Sequence, residues 1–211
     1  MGSFSTINGM KYTWCIDSGH SGNTQNGDYL TAPAKMFKHS PSEIFYEGVF
    51  NRQIKDALIR DLWRHDILAI DVCPTELDLP LSVRVNIVNA IYAKYKNAVL
   101  ISLHSNAGRG TGIEIWTARG QTRSDKFATV IGEQVSRDFE DVVFRQDFMD
   151  GDMDKEADFY ILKYTHCPAV LPEFMFYDNY DDFLKLENPE FRARYVKSLL
   201  TAIQKMEQMD I

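Results

Sequence analysis

The sequence predicts an α/β fold: one domain on a twisted, mostly parallel β-sheet of about six strands, flanked by helices on both faces. Three observations predict it. Short apolar runs alternate with amphipathic segments along the whole chain. Two of those runs, Ala98–Leu103 and Cys167–Leu171, are almost continuously apolar, as strands covered on both faces are. The 211 residues contain no repeat, low-complexity tract or linker, which suits one domain over 1–211 with its core at about 12–206.

Tyr12–Asp17 reads as the first strand, leading into the turn Ser18-Gly19-His20. Segment 22–42 is polar, rich in Gly, Asn and Thr, and reads as a long loop suited to contacting substrate. A helix follows over about Phe45–Trp63, with Ile54, Leu58 and Leu62 four apart on one face. Ile67–Asp71 reads as a strand, and Leu81–Tyr95 as a helix with Val85, Val88, Tyr92 and Tyr95 inward. Ala98–Leu103 is the central strand and ends at His104. Gly112–Thr117 reads as a strand and Asp125–Phe139 as a helix. The acidic stretch Asp147–Asp158, containing Gly151, reads as an exposed, solvated loop whose spacing does not fit an EF-hand. Cys167–Leu171 is a last buried strand, ending at Pro172-Glu173. A helix over about Pro189–Met206 closes the fold, with Val196, Leu199, Leu200 and Ile203 inward.

Composition excludes several functions. A net charge of −7 repels phosphate backbones, and no basic run interleaves with aromatics, so nucleic acid is not an expected partner. No apolar run approaches the ~20 residues that span a bilayer, so no membrane insertion is expected. With 45% apolar and 12% aromatic residues the chain can fill a core without a structural metal, so a metal here would serve chemistry. Cys15, Cys73 and Cys167 are odd in number and unpaired by motif, which reads as buried free thiols. Met1–Tyr12 shows no basic region followed by an apolar one, so no secretory signal is visible and synthesis in the cytoplasm is expected.

His20, His104 and Glu173 each fall just past a predicted strand, and in open α/β sheets sites form beyond the carboxyl ends of the strands. A catalytic zinc takes three N, O or S ligands and leaves one position open. His20 and His104, flanked by small residues, suit that role. A carboxylate near the head of the first helix could be the third ligand, and spacing does not choose between Glu43 and Glu47. His39 and His65 have ordinary loop and helix-end explanations, and His166 beside Cys167 is ill placed to chelate with it. Glu173, between Pro-Ala-Val-Leu-Pro and Phe-Met-Phe-Tyr, is a carboxyl held among apolar neighbours, whose burial raises its pKa toward the range useful for proton transfer.

These residues carry a family resemblance. Ile16-Asp17-Ser18-Gly19-His20-Ser21-Gly22 resembles the DPGHGG opening of zinc-dependent N-acetylmuramoyl-L-alanine amidases of the type 3 family. Glu47 with Asn51, Leu81 with Arg84, Ser102-Leu103-His104-Ser105-Asn106, Gly112-Ile113-Glu114-Ile115 and Pro168-Ala169-Val170-Leu171-Pro172-Glu173 resemble its later motifs, in its order, over nearly the whole chain. The resemblance implies one Zn2+ held by His20, Glu47 and His104, with Glu173 as general base and acid and peptidoglycan as substrate. Asn106 and Glu114 are expected to contact substrate or support the ligands, and Arg84 to pin a helix through loop carbonyls or a carboxylate. Ser18 and Ser21 replace the family's Pro and Gly, and Met175 stands where it has Gly. The absence of a visible signal and of a wall-binding repeat is consistent with a phage-type endolysin, released to the wall after membrane permeabilisation; a host amidase of autolysis or sporulation is the other setting. Another zinc amide hydrolase acting on wall peptides, or a metal-free wall-binding relative, are the alternative readings.

Overall fold

The computed structural model describes residues 10–31, 34–149 and 151–209. Residues 1–9, and 32–33 within segment 22–42, lie outside them. The strands are β1 (Thr13–Ser18), β2 (Met36–Ser40), β3 (Glu43–Tyr46), β4 (Ala69–Asp71), β5 (Ala98–Asn106), β6 (Ile113–Thr117), β7 (Lys155–Glu156) and β8 (Ala169–Phe176). The helices are α1 (Glu47–Arg64), α2 (Leu81–Tyr95), α3 (Arg123–Asp138), α4 (Tyr160–Lys163), α5 (Tyr180–Glu187) and α6 (Pro189–Met206). Six strands form one sheet in the order β4-β1-β5-β8-β6-β7. The four from β4 to β8 are parallel, while β6 runs antiparallel to β8.

Period-two alternation along the strands builds two cores. Trp14 and Ile16 of β1, Val99 and Ile101 of β5, and Val170 and Phe174 of β8 face α1, α3 and α6. Cys15, Leu100 and Leu171 face α2 and α4. Both faces are therefore covered, which is why β5 and β8 read as continuously apolar. All three cysteines are buried and free. Among the described residues no helix is long and apolar enough to cross a membrane.

The structure corrects the sequence reading at four places. Segment 22–42 is not a bare loop, because its end pairs as the hairpin β2–β3. His104 and Glu173 lie inside β5 and β8 rather than beyond them, since both strands run on past their apolar stretches. Helix α5 was not anticipated; Asn179 caps it by accepting from the backbone amides of Asp181 and Asp182. The acidic stretch is not uniformly solvated. Lys155–Glu156 joins the sheet as β7, and Asp154 is 1% exposed with the Thr117 hydroxyl donating to it at 2.6 Å. Burial, reinforced by Asp152, pushes the Asp154 carboxyl up to about 7, so it enters the core close to neutral.

The end of β8 carries a bulge. His104 pairs with Glu173 and Asn106 with Phe176, so two steps on β5 meet three on β8. The extra residue is absorbed at Met175, whose φ of 65° lies in the left-handed region. That conformation costs a non-glycine residue about 1–2 kcal/mol, and burial of the whole Met175 side chain in the core offsets it. Truncation should therefore invert the usual preference for alanine over glycine. Thermal melts are expected to rank wild type above Met175→Gly, and Met175→Gly above Met175→Ala; an alanine variant more stable than the glycine one contradicts the strained bulge.

Candidate active site

The loop after β1 brings His20 to the carboxyl edge of the sheet. Its backbone is left-handed, with φ at 66°, and it is held from behind. Arg84, 1% exposed, donates to Asp17 Oδ1 at 2.8 Å, to the Ser18 carbonyl, and to the His20 carbonyl at 3.2 Å. Arg52 donates to the same His20 carbonyl at 2.7 Å, and Asn51 Nδ2 to the Gly19 carbonyl at 3.2 Å. Arg84 thus pins the loop to α2 through carbonyls and a carboxylate, as expected. Two glycines permit the close approach. A Cβ on Gly19 would lie 2.2 Å from His104 Cε1, and one on Gly48 would lie 1.9 Å from the Ser21 carbonyl oxygen.

Glu47 is the first residue of α1 and is 1% exposed. Its position at a helix N-terminus favours a negative charge. Its Oε1 lies 3.1 Å from His104 Nδ1 and 3.3 Å from His20 Nε2, and the Ser105 amide donates to it at 3.3 Å. Burial works against the charge, but His104 and then His20 outweigh it and hold the carboxyl down to about 2. Burial likewise opposes charge on His104, yet the hydrogen bond to Glu47 and the nearby Glu173 leave its pKa raised. Glu43 is not part of this group; it accepts from the Tyr180 hydroxyl at the surface. Spacing left the two glutamates open and the resemblance implied Glu47, which is the one the fold places beside His20 and His104.

His20, Glu47 and His104 each offer a ligand atom within 4.8 Å of the others. Ligands at ~2.0–2.1 Å around a tetrahedral zinc stand about 3.3 Å apart, close to the two measured separations from Glu47. His20 Nε2 and Glu47 Oε2 are buried without a hydrogen-bond partner, a state that burial penalises and coordination relieves. Two imidazoles and one carboxylate are a zinc donor set, so the residues fit the ion.

Glu173 is the register neighbour of His104 on one side and of Glu114 on the other. Burial pushes its carboxyl up to about 7, with His104 pulling down and Glu47 pushing further up, and its Oε2 has no partner. Glu114 differs. Its Oε1 accepts from Arg145 and Lys155, each at 2.7 Å, and its Oε2 from Asn106 at 2.8 Å and Trp116 at 3.2 Å. Burial raises its pKa, but these two cations overcome that and leave it lowered. Asn106 is tied on both ends, its Nδ2 to Glu114 and its Oδ1 accepting from the Ala107 amide.

His39, His65 and His166 stay outside the group. His39 Nε2 lies 2.8 Å from the Tyr177 carbonyl, His65 caps α1, and the His166 amide donates to Asn89. Sequence reasoning missed Arg52, Asp182, Arg145 and Lys155. Asp182, fully buried, accepts from Thr111 and from the amides of Gly112 and Phe176, tying the start of β6 to the end of β8. Only its position three residues after the cap at Asn179 hinted at it. Segment 22–42 also builds the site: the Ser21 amide donates to Thr31 Oγ1, and the Gly48 amide to the Tyr29 hydroxyl.

A parallel-sheet edge that gathers two histidines and a carboxylate beside a partnerless acid has the donor set and the acid of a hydrolase-type centre that could hold a metal ion. Over residues 15–205 the chain belongs to the N-acetylmuramoyl-L-alanine amidase family, whose members are in general zinc-dependent. It is 34% identical over 112 residues to the N-acetylmuramoyl-L-alanine amidase CwlM of Bacillus licheniformis, a match spanning 53% of this chain and 40% of that protein. It resembles the crystal structure of an N-acetylmuramoyl-L-alanine amidase from Clostridium difficile 630, with a TM-score of 0.74 and 23% identity over 95% of this chain and 98% of the other. The catalytic domain of the CD27L endolysin, which targets Clostridia difficile, matches with a TM-score of 0.57 and 23% identity over 90% and 97%.

The contact between Gly19 and the His104 ring yields a test. Gly19→Ala is expected to keep the fold but to weaken zinc affinity by about 10–100-fold, the usual cost of disturbing a ligand's support. Competition against a chromophoric chelator measures it, and unchanged affinity would show that the close approach does not set the His104 ring.

Proposed function

We propose that this protein hydrolyses the amide bond between N-acetylmuramic acid and L-alanine in bacterial peptidoglycan, using one zinc ion. The observation that carries the reading is the convergence of His20, Glu47 and His104 on one point with Glu173 next to His104 in register. Family membership supports the substrate class.

His20, Glu47 and His104 would hold the ion, and a bound zinc supplies Lewis acidity that acidifies a water and polarises the amide carbonyl. Glu173 accepts the proton of the attacking water on its free carboxylate oxygen. As the carbon–nitrogen bond breaks, Glu173 returns that proton to the departing alanine nitrogen. The water oxygen stays on the lactyl carbonyl carbon, and the peptide leaves with a free amine. A carboxyl held at about 7 by burial takes and gives a proton with little cost in either direction near neutrality. Asn106 and Glu114 act in this scheme as positioning residues, because they are hydrogen-bonded to each other and to their neighbours. Action on the wall of a lysing cell, as the likeness to an endolysin's catalytic domain suggests, completes the reading.

Two experiments test it. Glu173→Gln should retain zinc and fold but lose at least about 10²-fold in release of free N-terminal alanine from digested sacculi; near-wild-type release removes Glu173 from proton transfer, and new reducing ends in place of new amines point to another bond. The same variant bears on stability. Wild-type Glu173 binds its proton more tightly folded than unfolded, so its contribution is present below the ordinary carboxyl pKa and is lost as pH rises through about 7. In chelator-treated protein, urea unfolding should therefore show Glu173→Gln gaining about 2–3 kcal/mol on wild type between pH 5 and pH 8. A gap that does not widen with pH contradicts the buried, raised acid.

A further inference from the structure

Beside the proton carrier the sheet holds a compact positive site that the reaction itself does not use. Glu114 is the antiparallel register partner of Glu173, so their Cβ atoms are about 4.5–5.5 Å apart. Arg145 and Lys155 both bind one oxygen of Glu114, two cations against one carboxylate, in a chain whose net charge is −7. Both are held in place from a second side, the Arg145 guanidinium 5.4 Å from the Phe176 ring centre and the Lys155 ammonium 5.2 Å from that of Trp116. Neither terminal nitrogen of Arg145 has a hydrogen-bond partner among the described residues, and its side chain is 40% exposed. A guanidinium anchored through Nε, with its fork left open, is arranged to receive a carboxylate.

We propose that Arg145, with Lys155, forms a carboxylate-binding subsite that grips an acidic residue of the stem peptide and so sets substrate preference; this rests on the amidase reading of the adjoining centre. The lactyl carboxyl of the muramic acid is consumed in the scissile amide, so the carboxylates of this substrate lie on its peptide. A local grip of this kind supplies what the acidic surface as a whole cannot.

The test compares two muramoyl peptides that differ only at the second residue, one with a free α-carboxylate and one with that group amidated, using the zinc-loaded protein and its Arg145→Met and Arg145→Lys variants. Wild type is expected to favour the free carboxylate at least tenfold in kcat/KM, mostly through KM, the scale of one charge-assisted hydrogen bond. Arg145→Met should bring that ratio toward one, and Arg145→Lys should restore part of it. Calorimetric binding of the released peptides to wild type should show the same preference without turnover. Equal kcat/KM for the two substrates in wild type, or a ratio unchanged in Arg145→Met, overturns the subsite and leaves the amidase reading standing. Failure of wild type to cleave either substrate overturns the amidase reading, and the subsite with it.

Discussion

Arg84 is the residue around which the site is organised. A guanidinium carries five N–H donors in a fixed fork, and here each of the five finds an acceptor: Asp17 Oδ1, Asp78 Oδ1 and the carbonyls of Ser18, His20 and Leu79. Asp17 in turn accepts from the Ser102 hydroxyl at 2.7 Å, which couples the pair to β5. Desolvating two charges makes such a pair a poor source of net stability. Its consequence is geometric. It fixes the end of β1, the turn that follows and the head of α2 relative to the central strand, so that His20 stands opposite His104 without depending on its own packing. The left-handed backbone of His20 is tolerable because Arg84 and Arg52 both hold its carbonyl.

On that frame two buried glutamates are driven in opposite directions. Glu47, at the start of α1 and against two imidazoles, is a permanent anion. Glu173, in a largely apolar strand and near Glu47, is an acid that ionises close to neutral pH. Environments that push two like groups apart in this way assign them different chemical roles. Glu114, a third carboxylate and the register neighbour of Glu173, is removed from proton chemistry by four donors. The row His104–Glu173–Glu114 across β5, β8 and β6 therefore passes from a candidate metal ligand to an acid that ionises near neutral pH to a charged anchor. The antiparallel insertion of β6 is what adds the last member.

The elements that read clearly in the sequence are those whose signal is local. Leu81–Tyr95 is the observed α2, and Pro189–Met206 the observed α6, because each combines apolar periodicity with a clean start after Pro80 or Asn188. Segment 22–42 read as a loop because Gly, Asn and Thr dominate its first half, while β2 (Met-Phe-Lys-His-Ser) and β3 (Glu-Ile-Phe-Tyr) are short and show no polar–apolar alternation. Asp154 misled because burial and the neighbouring Asp152 raise its pKa and seat it in the core, an outcome composition cannot report. Helix α5 was overlooked although Asn179 and the acidic residues after it form an ordinary capping signal.

By itself, the sequence determined the α/β class and both core strands, and it put His20, His104 and Glu173 forward as candidates, since apolar strands leading into reactive residues are a one-dimensional pattern. It also carried the family, through motifs kept in order. Only the tertiary structure seated Met175 in a left-handed bulge and gathered Arg145 and Lys155 on Glu114. Those depend on which side chains separated by tens of residues share a face. That is settled by strand register and helix placement, which no local pattern encodes.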